Sequence, residues 1–258
     1  MAALAPLAAM VAQADPCAPP GRRASVVPLA QLIRYLVGAL VSYLTFLAPV
    51  QAAPDLDAVI TYETRQVLAS GITRTETWKE QLVRRGGSVW TQRVLPNRGH
   101  SDKAHGGTPA VAHRKHFNYE TAGRWLQIDS KGETQLRFID AERKMLVTIP
   151  KTEFASVGFD GRWDAAAHLL PPSLLKTMQA SGPSAQRDDS VWFTQGTGEW
   201  QHRVRWSTVK QVALRIESTR ADGSLSRTVL VEPVTPRKLL PWQGTTDYEQ
   251  KTFDDFLD

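Results

Sequence analysis

The sequence predicts a mainly β fold of the α+β class: a curved antiparallel sheet or half-barrel of about ten strands, with a short helical insertion as its lid. From residue 56 onward, apolar and polar residues alternate with the period of two that is typical of half-buried strands. Short turns rich in Gly and Asp separate these runs, which is too little chain for parallel crossovers. Residues 160–180 interrupt the alternation with an apolar run that favours helix.

The first three strands are predicted over residues 58–68, 72–84 and 89–95. The turn Ala69-Ser70-Gly71 separates the first pair, and Gly86-Gly87 separates the second. Two glycines between β-rich runs are a hairpin signal. A helix across residues 76–85 is excluded because that segment has no apolar stripe at helical spacing.

The central strands are predicted over residues 115–121, 124–129, 134–140 and 144–149, with a turn at residues 129–132. In the insertion, Asp164 lies near the start of a short helix, Pro171-Pro172 ends it, and Ser173 begins a second turn. Strands then return over residues 191–195, 199–206, 211–219 and 225–231, and a short acidic helix is predicted around residues 253–257. A long curved sheet needs a cover on its concave face, and we expect the insertion to supply it.

Residues 1–53 have the layout of a leader and secretory signal peptide. Three arginines come first: Arg22, Arg23 and Arg34. The uncharged residues 35–47 follow, and small residues up to Ala52 and Ala53 come after that run. Thirteen helical residues span about 20 Å, short of the ~30 Å hydrocarbon core of a bilayer. We therefore expect cleavage near Ala52 or Ala53, and a single β-rich domain at residues 54–258 in the periplasm or outside the cell.

Charge and cysteine content exclude several classes. The net charge of +5 comes from 31 Lys and Arg against 26 Asp and Glu, but the basic residues form short scattered pairs with acids nearby. A nucleic-acid partner is therefore not expected. Cys17 is the one cysteine, and cleavage of the leader would remove it, which suits an oxidising compartment.

Two local patterns carry a family resemblance. Residues 136–140 (LRFID) run on to residues 146–150 (LVTIP), and residues 212–216 (VALRI) are followed by Asp222-Gly223. With the order of elements over residues 56–258, they resemble the LolA/LolB-like family of periplasmic lipoprotein carriers, which includes the sensor domains of RseB-type regulators. The resemblance implies an open half-barrel that takes up acyl chains without chemistry. It also implies a lipid or lipidated protein as ligand, and an inner-membrane or regulatory protein as a further partner.

Aromatic residues supply the candidate ligand contacts. Six of the eight tryptophans lie on predicted strands, where they suit either core packing or a lined cavity. Under the cavity hypothesis, the ligand-binding residues are Trp78, Trp90, Trp125, Trp163, Leu170, Leu174 and Met178.

A histidine-rich loop at residues 96–116 supports a different hypothesis. Four of the six histidines lie here beside an aspartate, and the candidate metal ligands are His100, Asp102, His105, His113 and His116. Imidazole binds Zn or Cu, but these spacings match no familiar site, so weak binding and a merely polar loop stay open. The alternatives to a carrier are thus a periplasmic metal-binding accessory protein and a sensor domain of a regulatory complex.

Catalytic signatures are absent from the sequence. It contains no Gly-x-Ser-x-Gly elbow, and Ser101 between His100 and Asp102 is a sequence neighbour of both, an arrangement that rarely gives the geometry of a triad. Gly196-Thr197-Gly198 lacks the third glycine and the helix of a dinucleotide fingerprint. The sequence therefore predicts a binding protein, not an enzyme, with no resident cofactor apart from a possible Zn or Cu at the loop.

Overall fold

The computed structural model describes residues 53–95, 117–183 and 189–256, which form a single open curved sheet with a helical insertion. The leader, Cys17 and the five candidate metal ligands lie outside the described residues. Within the described residues the strands are β1 (Leu56–Val67), β2 (Thr73–Arg85), β3 (Ser88–Val94), β4 (Gly123–Ile128), β5 (Thr134–Asp140), β6 (Met145–Ile149), β7 (Gln179–Pro183), β8 (Ser190–Thr197), β9 (Trp200–Ser207), β10 (Val212–Arg220), β11 (Leu225–Pro233) and β12 (Glu249–Thr252).

The strands lie in the order β12-β6-β5-β4-β3-β2-β1-β11-β10-β9-β8-β7. Neighbours are antiparallel except β12 and β6, which are parallel. The predicted fold class is confirmed, and ten of the predicted strands are present with ends within two residues of those expected. Turn chemistry explains this agreement, since Gly71, Gly132 and Gly223 all adopt the positive φ that tight turns require.

One predicted strand, at residues 115–121, is wrong over its described part. The backbone N–H groups of Thr121 and Ala122 donate to the carbonyl oxygen of Asn118, and that of Glu120 donates to the Asn118 side chain at 3.0 Å. An asparagine that bonds its own following backbone makes a turn. The apparent alternation arose because Phe117 and Tyr119, two residues apart, both pack into the core from this turn.

The short helical insertion of the predicted fold is confirmed. It contains α1 (Trp163–His168) and α2 (Pro172–Leu175), preceded by 3₁₀ turns at Lys151–Glu153 and Ala155–Val157. Helix α1 ends where Leu169 takes a left-handed conformation (φ 63°) just before the two prolines. Strand β7 begins at Gln179, inside the last residues of the predicted insertion.

The pleat gives the sheet two apolar faces, and each has its own cover. The inner face is the one covered by the insertion: Ile60, Leu82 and Phe138 pack there in one cluster with Phe159 and Ala167. On the outer face, residues 234–248 lie over a smaller cluster that includes Val83, Ile139 and Leu146. The predicted acidic helix near the end of the chain is a 3₁₀ turn, Phe253–Phe256, whose aromatic rings pack against Phe117 and Tyr119.

Within the described part of the chain, no helix has both the length and the apolar character needed to cross a bilayer.

Candidate ligand-binding site on the inner face

The seven residues predicted to contact a ligand are divided between the two faces. Five lie on the inner-face side. Trp78 on β2 and Trp163 of α1 pack against the large cluster. Leu170, Leu174 and Met178 belong to a second inner-face cluster with Val204, Trp206 and Ala213. The structure thus brings together the insertion residues and the inner face of β9 and β10.

Trp90 and Trp125 lie on the outer face instead. They face each other across β3 and β4, and the ring of Trp242 stacks on Trp125 with centroids 6.0 Å apart. The Arg137 guanidinium lies 5.0 Å from the Trp125 ring centroid, and that of Arg237 lies 5.3 Å from the Trp90 centroid. These two tryptophans hold residues 234–248 against the sheet and are separated from the inner face by its backbone.

The inner face continues beyond the area that the insertion covers. One cross-strand row of side chains runs from β2 to β8 through directly paired residues, and we call it the apolar row. Its members in strand order are Trp78, Tyr62, Val229, Ile216, Val204 and Phe193. Tyr62 and Val204 are buried, whereas the other four are only partly buried.

The insertion meets the apolar row at its β8 end. Leu174 and Leu175 of α2 pack against the same cluster as Phe193 and Ile216, and all four are partly buried. At the other end the Tyr62 and Trp78 rings stack with centroids 5.0 Å apart and an interplanar angle of 11°. The row therefore has an apolar cover at one end and an aromatic stack at the other.

Polar groups stand beside the aromatic stack. The Tyr62 hydroxyl donates to Oε2 of Glu80 at 3.2 Å. Burial, together with the nearby Glu80 carboxylate, raises the pKa of Tyr62 well above its ordinary value, so the phenol stays protonated. The guanidinium of Arg93 lies 6.0 Å from the Trp78 ring centroid. The positive charge of Arg124 on β4 also acts on Tyr62, where it opposes the rise of the phenol pKa.

Arg84 fixes one end of the insertion to the sheet. It is fully buried and donates to the carbonyl oxygens of Pro54 (2.8 Å), Ala167 (2.5 Å), Lys210 (2.5 Å) and Gln211 (3.2 Å). Burial lowers the pKa of Arg84 to about 10, so the side chain remains charged at neutral pH.

Sequence reasoning did not select Arg84. The available signal was its register, because alternation along β2 places Arg84 on the same face as Leu82 and Trp78. A charged residue on the apolar face of a strand needs partners, and here they are the backbone carbonyls of the insertion and of the β9–β10 turn.

The predicted metal site falls outside the described residues, so it stays a prediction from sequence. Among the residues that the structure does describe, no group of three or more His, Cys, Asp or Glu side chains is arranged to hold a metal ion.

No protein-family model matches the chain, and no curated protein matches it. Solved structures that match the chain include an uncharacterised conserved protein from Thermus thermophilus, with 8% identity, a TM-score of 0.36, and coverage of 75% of this chain and 90% of that one. A domain named for outer membrane lipoprotein sorting, from Vibrio parahaemolyticus, has 10% identity, a TM-score of 0.28, and coverage of 72% and 87%. A LolA superfamily protein from Nitrosomonas europaea has 8% identity, a TM-score of 0.29, and coverage of 72% and 89%. Structures of the kind named by the sequence resemblance are thus among the matches, and scores this low say nothing about what this chain binds.

Proposed function

We propose that this protein is a non-enzymatic exported carrier that holds the apolar part of a lipid or lipidated protein on the inner face, between the sheet and the helical insertion. The observation that supports the proposal is the apolar row, whose partly exposed side chains extend beyond the insertion. A protein that used this face for core packing alone would gain stability by covering it.

The length of the apolar row suits an acyl chain. It crosses six neighbouring strands, and at about 4.8 Å per strand its ends are about 24 Å apart. One leaflet of a bilayer contributes about half of the ~30 Å hydrocarbon core, or about 15 Å. The row therefore offers enough apolar surface for the full length of one chain.

The outer face of the same strands differs in character. Two outer-face rows lie next to the apolar row. One is wholly polar: Thr77, Glu63, Thr228, Glu217, Arg203 and Thr194. The other is polar or charged apart from Leu230 and Trp192: Lys79, Thr61, Leu230, Arg215, Arg205 and Trp192. Apolar side chains that stay partly exposed on only one side of a sheet are typical of a ligand-binding surface. Export to the periplasm is supported by the layout of residues 1–53, and delivery to or from an inner-membrane or regulatory protein is part of the same proposal.

Two adjacent residues on β11 provide the test. Val229 belongs to the apolar row and Leu230 points to the outer face, and both are partly buried. We expect Val229→Asp to weaken binding of palmitate, followed by tryptophan fluorescence, about tenfold or more, because a carboxylate would have to be desolvated against the bound chain. Leu230→Asp should change that affinity less than about twofold.

Thermal unfolding of both variants controls for loss of the fold, and native mass spectrometry of protein purified from the periplasm identifies any bound lipid. The proposal fails if the unaltered protein binds no long-chain ligand. It also fails if both folded variants bind the ligand as well as the unaltered protein does.

A further inference from the structure

An arginine for which the described residues supply no acceptor at Nε lies on the inner face close to the apolar row. Arg124 on β4 is flanked across the sheet by Thr91 on β3 and Phe138 on β5. Its Nε atom is buried and has no hydrogen-bond partner among the described residues. Among the described residues, no carboxylate forms an ion pair with the Arg124 guanidinium. The side chain as a whole is only partly buried, but its Nε atom has lost contact with water without gaining an acceptor, and an anion or acceptor placed there would remove that cost.

A second guanidinium lies at the same end of the row. Arg93 is exposed, faces Glu80 across the β2–β3 pair, and stands over the ring of Trp78. Glu80 is engaged by the Tyr62 hydroxyl, and within the described residues it forms no ion pair with either arginine. The next inner-face carboxylate along β2, Glu76, is paired with Arg74. Arg93, Arg124 and Glu80 are then the charged groups nearest the aromatic stack, and together they leave a net positive charge.

We propose that Arg124 and Arg93 bind the anionic headgroup of a ligand whose chain lies along the apolar row, so that the ligand class is an anionic amphiphile with a carboxylate or phosphate head. This inference rests on the proposed function, because the row supplies the chain site. Guanidinium groups are weakly hydrated and pair with carboxylate and phosphate through parallel N–H donors. The headgroup then lies at the Trp78 end, and the chain runs from Tyr62 towards Val229 and Ile216.

The test compares ligands that differ only at the head. Palmitate, methyl palmitate and hexadecyl phosphate are titrated below their aggregation concentrations and followed by tryptophan fluorescence. We expect at least one of the two anions to bind about tenfold more tightly than the ester, equivalent to about 1.4 kcal/mol. Palmitate bound more tightly than hexadecyl phosphate indicates a carboxylate head, and the reverse order indicates a phosphate head.

Variants then assign the preference to the two arginines. Arg124→Gln and Arg93→Gln should each reduce the preference for the anion several-fold while leaving methyl palmitate affinity within about twofold, and Arg124→Lys should keep most of the preference. The matched control is Arg203→Gln, since Arg203 also stands over a tryptophan, 4.6 Å from the Trp192 centroid, but on the outer face.

The outcomes separate the two proposals. Equal affinity of the unaltered protein for acid, phosphate and ester overturns the headgroup site and leaves the carrier function standing. Failure of all three ligands to bind overturns both. If Arg124→Gln does not fold, the exposed Arg93 carries the test, and an unchanged anion preference in folded Arg93→Gln overturns the assignment.

Discussion

Gly123 on β4 is required by the packing of a tryptophan ring from the neighbouring strand. A Cβ atom at this position would lie 2.4 Å from Nε1 and 3.0 Å from Cε2 of Trp90, which is only 4% exposed. No side chain can therefore be added there without moving the ring away from the outer-face cluster.

We expect Gly123→Ala to lower the free energy of unfolding by about 1–3 kcal/mol, the usual cost of overpacking. Urea unfolding measures the change. Gly87→Ala is the milder comparison, because its Cβ would lie 3.1 Å from a side-chain methyl and 3.2 Å from the carbonyl oxygen of Ile128, contacts that are tight but do not overlap as severely. A Gly123→Ala protein as stable as the original would show that Trp90 has room to move.

At the scale of elements, helix α1 is joined to the β9–β10 turn by a histidine. Nδ1 of His168 donates to the carbonyl oxygen of Gln211 at 2.5 Å, on the same carbonyl that receives Arg84. Burial lowers the pKa of His168, and the positive charge of Arg84 lowers it further. The hydrogen bond to Gln211 and the carboxylate of Asp164 partly offset this lowering. Burial also lowers the pKa of His202 on β9.

A histidine whose pKa is lowered by folding binds its proton more readily in the unfolded chain. The contribution of the neutral histidine to the stability of the fold is therefore fully present above the unfolded pKa of about 6.5, and it is lost as the pH falls below that value. We expect the free energy of unfolding to decrease between about pH 6.5 and 5. Chemical unfolding across this range should show a shallower decrease for His168→Gln and His202→Gln, and the shallowest for the double variant. The same slope in the double variant and the original protein would contradict this account.

A strand could be predicted from the sequence when its own residues alternate between apolar and polar. Ten strands have apolar residues on at least one face, so alternation and turn glycines reveal them. Strands β7 and β12 were missed because Gln179–Pro183 contains Gly and Pro and Glu249–Thr252 is wholly polar. These are the two edge strands of the sheet. An edge strand pairs with a neighbour on one side alone, and it needs little apolar surface to hold its place.

The site was only partly predictable for a related reason. Alternation shows that Trp78 and Trp90 lie on strands, but it does not show which face of each strand is covered by the insertion. The apolar row depends on the pairing of β1 with β11, which brings Tyr62 beside Val229 from the other end of the chain. No local pattern encodes such long-range pairing, and the same holds for the approach of Arg84 to the β9–β10 turn.

At the scale of the whole molecule, the two halves of the sheet are joined by the β1–β11 pair and by the segment that follows β11. This segment, residues 234–248, crosses the outer face and leads to β12 beside β6. Arg237 anchors it: its backbone N–H donates to Oδ2 of the buried Asp57 at 3.0 Å, and its side chain donates to Gln81 at 3.1 Å. The apolar row and the anchored segment therefore lie on opposite faces of one sheet.

Trp242→Ala separates these two roles. Loss of the stack on Trp125 should lower the free energy of unfolding by about 2–3 kcal/mol, below the cost for a fully buried tryptophan because Trp242 is partly buried. Hydrogen exchange should accelerate in β6, since β12 is its edge partner, while palmitate affinity should stay within about twofold because the apolar row is on the other face.

Trp192→Ala is the control. Trp192 is an outer-face tryptophan that stacks on the exposed Arg203, and its replacement should lower the free energy of unfolding by less than about 1 kcal/mol. Unchanged exchange in β6 would show that β12 holds its place without the outer-face segment, and a large loss of palmitate affinity would show that the two faces are coupled through the sheet.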